Sequence, residues 1–173
     1  MYFYFILALF LTISFSVSAE DLKLNYGANP VDINGDGKLD LIVKVRWENG
    51  NAHSFDKYLI SILQKDGYGN PQFIEVPLGE SAKYSIRSYE GADCILTDYK
   101  FEIDNNKRLK VTKFARDFGK SFFDKQPVTI TTYLLKYAHE EYELVTPGQP
   151  NFYLKQVSET KTKQNYCDVR NLK

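Results

Sequence analysis

An acidic loop near residue 35 carries the side chains whose types and spacing best suit a chemical role. Its oxygen-bearing side chains fall at positions 1, 3, 5 and 9 of a calcium-loop pattern, and they belong to Asp32, Asn34, Asp36 and Asp40. Gly37 stands at position 6, where the chain must turn sharply, and the main-chain carbonyl of Lys38 stands at position 7. Alternate residues of a tight loop direct their oxygens at one centre. The spacing therefore predicts a structural Ca²⁺ site.

The same loop has a second interpretation that needs no metal. Position 12 of the pattern is Val43 and not the usual bidentate Glu, and a strand follows where a helix would be expected. In this respect the loop resembles the DxNxDGxxDL loops of FG-GAP and related extracellular β proteins. Asn-Gly and Asp-Gly pairs also form tight turns in which Asp and Asn side chains accept bonds from their own backbone. Both interpretations, calcium loop and turn, remain open at this stage.

A polar segment from Trp47 to Asp56 separates two β-rich runs and is the second candidate site. Its polar side chains predict a recognition loop on a rigid scaffold, and the residues assigned to ligand binding are Glu48, Asn49, Asn51, His53 and Asp56. Catalysis is not expected, because neighbours on an extended backbone point to opposite sides and His53 is then badly placed to activate Ser54. No recognised nucleophile or zinc motif occurs. The sequence predicts a protein that is not an enzyme.

The elements that must position these residues alternate with a period of two. In residues 39–48 one face carries apolar side chains, which we expect to face the core: Leu39, Leu41, Val43, Val45 and Trp47. Further β-rich runs cover 57–64, 72–76, 99–103, 109–114, 128–137, 142–145 and 152–154, and turn residues separate them. Short helices are expected around 81–88 and near the C-terminus. The pattern predicts an all-β, mainly antiparallel fold, a sandwich or open barrel of sequential hairpins with short helices.

The first nineteen residues predict a signal peptide. They lack charged side chains, and Val17-Ser18-Ala19 places small residues at the −3 and −1 positions before Glu20. We therefore expect residues 1–19 to be removed, leaving one β domain at 20–173 in the periplasm or secreted. Because neither Lys nor Arg precedes the apolar run, an uncleaved membrane anchor remains an alternative.

Charge and cysteine content narrow the function further. The 22 basic and 22 acidic side chains balance, which argues against nucleic-acid partners and against strong membrane association after cleavage. Cys94 and Cys167 are the two cysteines, and an isolated pair in an exported chain predicts a disulfide. We expect this bridge to stabilise the fold and to have no redox or metal-binding role.

The order of these segments resembles the CarG family of carbapenem self-resistance proteins. The matching segments, in chain order, are DxNxDGxxDL, RWENGNAHSFD, EGADCILTD, the Lys125–Val128 stretch, TPGQPNFYL and YCDV. The resemblance implies an exported protein that raises tolerance to carbapenems without hydrolysing them, by binding the antibiotic or shielding its target. The expected partner is then a carbapenem or an envelope protein. The alternative is a calcium-stabilised secreted or envelope module that binds a protein or glycan.

Overall fold

Two antiparallel sheets make up most of the residues that the computed structural model describes, which are 19–50, 53–65, 68–79, 83–91, 93–137 and 152–173. The strands are β1 (Glu20–Asp21), β2 (Gly27–Val31), β3 (Asp40–Trp47), β4 (Phe55–Lys65), β5 (Pro71–Glu75), β6 (Ser85–Arg87), β7 (Tyr89–Glu90), β8 (Ile95–Ile103), β9 (Leu109–Arg116), β10 (Gln126–Tyr137) and β11 (Phe152–Tyr166). A 3₁₀ helix, Val169–Leu172, follows the last strand.

The larger sheet has the order β1-β8-β9-β10-β11, and β7 also pairs with β8. The smaller sheet has the order β2-β3-β4-β5, and β6 pairs with β4 beside β5. Every strand pair named here is antiparallel, and within the described residues neither sheet closes on itself. The predicted all-β, antiparallel class is confirmed, and the architecture is a sandwich.

The core lies between the two sheets. Its fully buried side chains come from both of them, and they include Ile42 and Ile62 of the smaller sheet and Val111, Leu135 and Leu154 of the larger one. A second, smaller apolar cluster lies where the C-terminal 3₁₀ helix packs, and it joins Ile95, Phe114, Val128 and Val169. Burying apolar surface in this way is the main stabilising contribution to the fold.

The predicted orientation of β3 is wrong. Ile42 is fully buried, whereas Leu39 and Trp47, which were expected in the core, are 60% and 58% exposed. Of the other expected core residues, Val45 is exposed and Leu41 and Val43 are half-buried. The strand turns its alternate charged residues inward, which shifts the buried set by one residue.

Three local expectations also change in the structure. Ser85–Arg87 is strand β6 and not part of a helix, because it pairs with Lys57–Leu59 of β4. Strand β10 pairs with β11, which continues far beyond the predicted 152–154 run to Tyr166. The predicted 142–145 strand and the signal peptide up to Ser18 lie outside the described residues. Among the described residues, no helix has the length and apolar content needed to span a membrane.

The predicted Cys94–Cys167 disulfide is confirmed. It joins the residue before β8 to the residue after β11, with 73 positions between the cysteines and a Cα–Cα distance of 5.5 Å. The guanidinium of Arg116, which is buried, donates to the main-chain carbonyls of Cys167, Asp117 and Phe122. The bridge and this arginine together hold the C-terminal segment and the β9–β10 loop against the larger sheet.

Candidate functional site

A group of charged side chains lies at the inner face of β3, at the end where this strand meets β4 and β7. We call it the charged cluster, and its members are Tyr26, Lys44, Arg46, Ser54, Asp56 and Glu90. The alternation of β3 places Lys44 and Arg46 on the same side of the strand as Ile42. Buried charges require partners, and the neighbouring strands supply them.

Arg46 is the centre of the charged cluster. Its two terminal nitrogens donate to both carboxylate oxygens of Glu90, at 3.0 and 2.9 Å, in a bidentate pair. The same guanidinium reaches Asp56 Oδ1 at 3.3 Å and Glu48 Oε1 at 2.6 Å. Hydrogen bonds from Arg46 to Glu90 and Glu48 raise the pKa of the guanidinium further above its usual range. Arg46 therefore remains a fixed positive charge.

Lys44 occupies the inner end of the charged cluster. Its ammonium lies 3.2 Å from Asp56 Oδ2 and 4.6 Å from the centre of the Tyr26 ring, and its side chain is 19% exposed. The Tyr26 hydroxyl donates to Asp56 Oδ1 at 3.1 Å. Asp56 thus accepts from a lysine, an arginine and a tyrosine, which accounts for the burial of a carboxylate in an otherwise apolar sandwich.

The five residues predicted to bind ligand do not share one surface. Asp56 is buried in the charged cluster, and Glu48 is exposed and linked to it through Arg46. Asn49 donates through Nδ2 to the carbonyl of His53, so it closes the β3–β4 loop. The His53 ring is half-buried against Phe122, with 4.8 Å between ring centres. Asn51 lies outside the described residues. Ligand binding by these residues remains a prediction.

Ser54 is bonded in a way that suits a structural role. Its Oγ donates to Glu90 Oε2 at 2.8 Å and accepts from Arg46 Nη2. A general base must take the hydroxyl proton as the oxygen attacks, and a carboxylate already neutralised by a bidentate arginine is a weak base. His53 Nδ1 lies 3.4 Å from the carbonyl oxygen of Glu90. The local chemistry favours holding β3, β4 and β7 together.

The acidic loop forms a chain of side-chain-to-backbone bonds. The carboxylate of Asp32 accepts the amides of Gly35 and Gly37 at 2.7 and 2.8 Å, and both glycines have positive φ, 80° and 81°. Asn34 Oδ1 accepts from Asp36 N, and Asp36 Oδ1 accepts from Lys38 N. These are the bonds that the turn interpretation requires. Calcium binding remains a prediction.

Asp40 differs from the other acidic residues of the loop because it is buried. Its Oδ2 accepts the amide of Ile33 at 3.0 Å and its Oδ1 accepts the amide of Leu63 at 2.8 Å. Burial raises the pKa of this carboxyl, the two amides oppose the rise, and the charges of Asp36 and Asp32 add to it. Within the described residues, no group of three or more His, Cys, Asp or Glu side chains is arranged to hold a metal.

The comparison with protein families decides the classification. The family described as "Carbapenem resistance protein CarG-like" matches residues 24–172. The chain belongs to the CarG-like family. A solved structure titled "Crystal structure of CarG" is similar, with a TM-score of 0.67, 19% sequence identity, and coverage of 87% of this chain and 91% of that one. At this identity the likeness concerns the fold. No curated protein compared with the chain matches it.

For this CarG-like protein, sequence reasoning identified Asp56 but missed the rest of the charged cluster. Lys44 and Arg46 alternate within β3, and the pattern of the strand gave them to solvent because charged residues usually face water. Glu90 lies 44 residues beyond Arg46 in a two-residue strand. The usable signal was the pair of basic residues two positions apart, which share a face of any strand.

Proposed function

We propose that this protein is exported to the periplasm and raises tolerance to carbapenems without hydrolysing them, by binding the antibiotic or shielding its target. The observation that carries the proposal is the family match over residues 24–172. The predicted signal peptide supports export, and the neutralised Glu90 beside Ser54 supports a mechanism without a serine nucleophile. The disulfide suits an oxidising compartment.

The test is the carbapenem susceptibility of a sensitive Gram-negative host that exports the protein, compared with the host carrying an empty vector. We expect a higher inhibitory concentration with the protein. Fractionation by osmotic shock should recover the protein, shortened by the signal peptide, from the periplasm. An unchanged inhibitory concentration, with folded protein in that fraction, would contradict the proposal.

The fate of the antibiotic separates binding from hydrolysis. We expect purified protein to leave the absorbance of a carbapenem unchanged over hours, because hydrolysis of the β-lactam ring would abolish it. Ser54→Ala serves as the matched control, since it removes the hydroxyl and leaves Arg46 and Glu90 paired. If the wild type turns over the antibiotic and Ser54→Ala does not, the non-enzymatic part of the proposal is wrong.

The second candidate function is a secreted or envelope module that binds a protein or glycan. The outer face of the smaller sheet favours it, because Trp47 and Phe73 are 58% and 51% exposed there and Trp47 stacks on Phe55. Exposed aromatic side chains are common at binding surfaces. Recovery of the same envelope partner with and without antibiotic, lost in Trp47→Ala, would favour this function.

A further inference from the structure

A cleft of about 400 Å³ opens beside the charged cluster, at a gap in the edge of the larger sheet. Strand β8 pairs with β1 at Glu102–Ile103 and with β7 at Ile95–Thr97, so its edge carries no strand between these two contacts. The segment after β1 and the inner face of the smaller sheet form the opposite walls. A cleft of this volume accommodates a small organic molecule.

Four lysines line the cleft, against a single acidic residue, Asp21. The lysines are Lys23, Lys44, Lys100 and Lys173. Three of them are ion-paired: Lys44 with Asp56 at 3.2 Å, Lys100 with Glu102 at 2.9 Å, and Lys173 with Asp98 at 2.5 Å. An ammonium has three N–H donors, and each of these pairs uses one of them.

The acids behind the cleft are shared among more cations than their own number. Glu102 is held by Lys100 and by Lys110, each at 2.9 Å. Asp56 is held by Lys44 and Arg46. Each carboxylate therefore neutralises only part of the positive charge around it, and a cleft lined by one sign of charge concentrates oppositely charged molecules.

The apolar part of the lining comes from aromatic and leucine side chains. Tyr58, Tyr99 and Phe101 meet there, with ring centres 6.0 Å apart for the two tyrosines and 4.9 Å apart for Tyr58 and Phe101. Leu22 and Leu24 face them across the cleft. Cations together with an apolar wall suit an anion carried on an apolar body.

We infer that this cleft binds small ring-bearing organic carboxylates, with the carboxylate on the lysine ammoniums and the ring against the aromatic and leucine side chains. The inference deepens the proposed function and rests on it in one respect, since carbapenems are compact bicyclic carboxylates. The site is distinct from the predicted Trp47–Asp56 loop, which it touches only through the Lys44–Asp56 pair.

Lys100 and Lys110 provide a matched pair of variants. Both ammoniums lie 2.9 Å from Glu102 and their side chains are equally accessible, at 32% and 31%, but only Lys100 lines the cleft. Lys100→Gln and Lys110→Gln each leave Glu102 with one lysine, so both should lose similar, small stability. Any difference in ligand binding then reports the cleft and not the fold.

The experiment is titration of the full-length mature protein with meropenem, benzoate, inorganic phosphate and neutral benzamide, followed by calorimetry and by amide NMR shifts. We expect both carboxylates to bind and to shift the amides of residues 22–24 and 99–101, with benzamide giving no saturable change. Removing one charged hydrogen-bond donor should weaken carboxylate binding roughly tenfold in Lys100→Gln, and Lys110→Gln should bind as the wild type does.

Three results would overturn the inference. They are no saturable binding of either carboxylate at millimolar concentration, equal weakening in the two variants, and tighter binding of phosphate than of the carboxylates. The host susceptibility assay is read separately. Protection that persists in Lys100→Gln would refute the cleft and leave the proposed function standing, whereas benzoate binding without protection would do the reverse.

Discussion

Replacing Asp40 by alanine distinguishes a carboxylate that holds the fold together from one that serves only as a cation ligand. The side chain is 1% exposed and accepts the amides of Ile33 and Leu63 at 3.0 and 2.8 Å. Asp40→Ala leaves both amides without an acceptor in a largely buried position. Each such loss costs about 1–2 kcal/mol.

The net effect is smaller than the sum of the two lost bonds. Burial raises the pKa of Asp40, so ionisation is unfavourable at this position and removing the charge recovers part of the loss. We therefore expect the free energy of unfolding to fall by about 2 kcal/mol. For a domain of this size the melting temperature should drop by roughly 4–8 °C.

The assay is urea unfolding followed by circular dichroism in EDTA, so that no cation contributes. Asp36→Ala is the control, because Asp36 belongs to the same acidic loop but its side chain is 35% exposed and bonds only within the turn. We expect that variant to lose at most about 1 kcal/mol. If Asp40→Ala unfolds like the wild type in EDTA, the structural role assigned to this carboxylate is wrong.

Three further predictions concern the metal, the disulfide and pH. Calcium should raise the melting temperature of the mature protein above its value in chelator, because a ligand that binds only the native state stabilises it; equal melting at millimolar calcium would favour the turn interpretation. The double variant Cys94→Ser/Cys167→Ser should lose roughly 4 kcal/mol in urea unfolding, and an unchanged midpoint would show that the bridge adds nothing. Burial opposes ionisation of Glu102, but bonds from two lysines outweigh it and lower its pKa. The stability that Glu102 contributes is therefore present above its unfolded pKa of about 4.3 and is lost as pH falls through its lower folded pKa. The difference in unfolding free energy between wild type and Glu102→Gln should follow this course, and a pH-independent difference would contradict it.

The class of fold could be predicted from the sequence because strand signals are local. Alternation and turn residues located most of the long strands, and two cysteines in an exported chain left one pairing to consider. Short strands were missed, since β1 and β7 have two residues each and owe their conformation to pairing with β8. A two-residue run carries no periodicity to detect.

The candidate site was harder to predict because its contacts are distant in sequence. The alternation of β3 is ambiguous, with apolar residues at 41, 43 and 45 on one face and charged residues at 44 and 46 on the other. Which face is buried depends on partners that local sequence does not reveal. Asp56 lies on β4 and Glu90 on β7, and only the folded sheets bring both to Arg46.

The inverted face of β3 follows from the demands of these polar contacts. Because successive side chains on a strand point to opposite sides, turning Arg46 inward obliges Trp47 to face outward. A slip of one residue would bury Trp47 and gain apolar contact, but it would also take Asp40 from the Ile33 and Leu63 amides and Arg46 from Glu90. Leaving buried amides and a buried carboxylate without partners costs more than one exposed aromatic side chain. The exposed Trp47 is therefore a consequence of the same register that places Lys44 at the edge of the cleft.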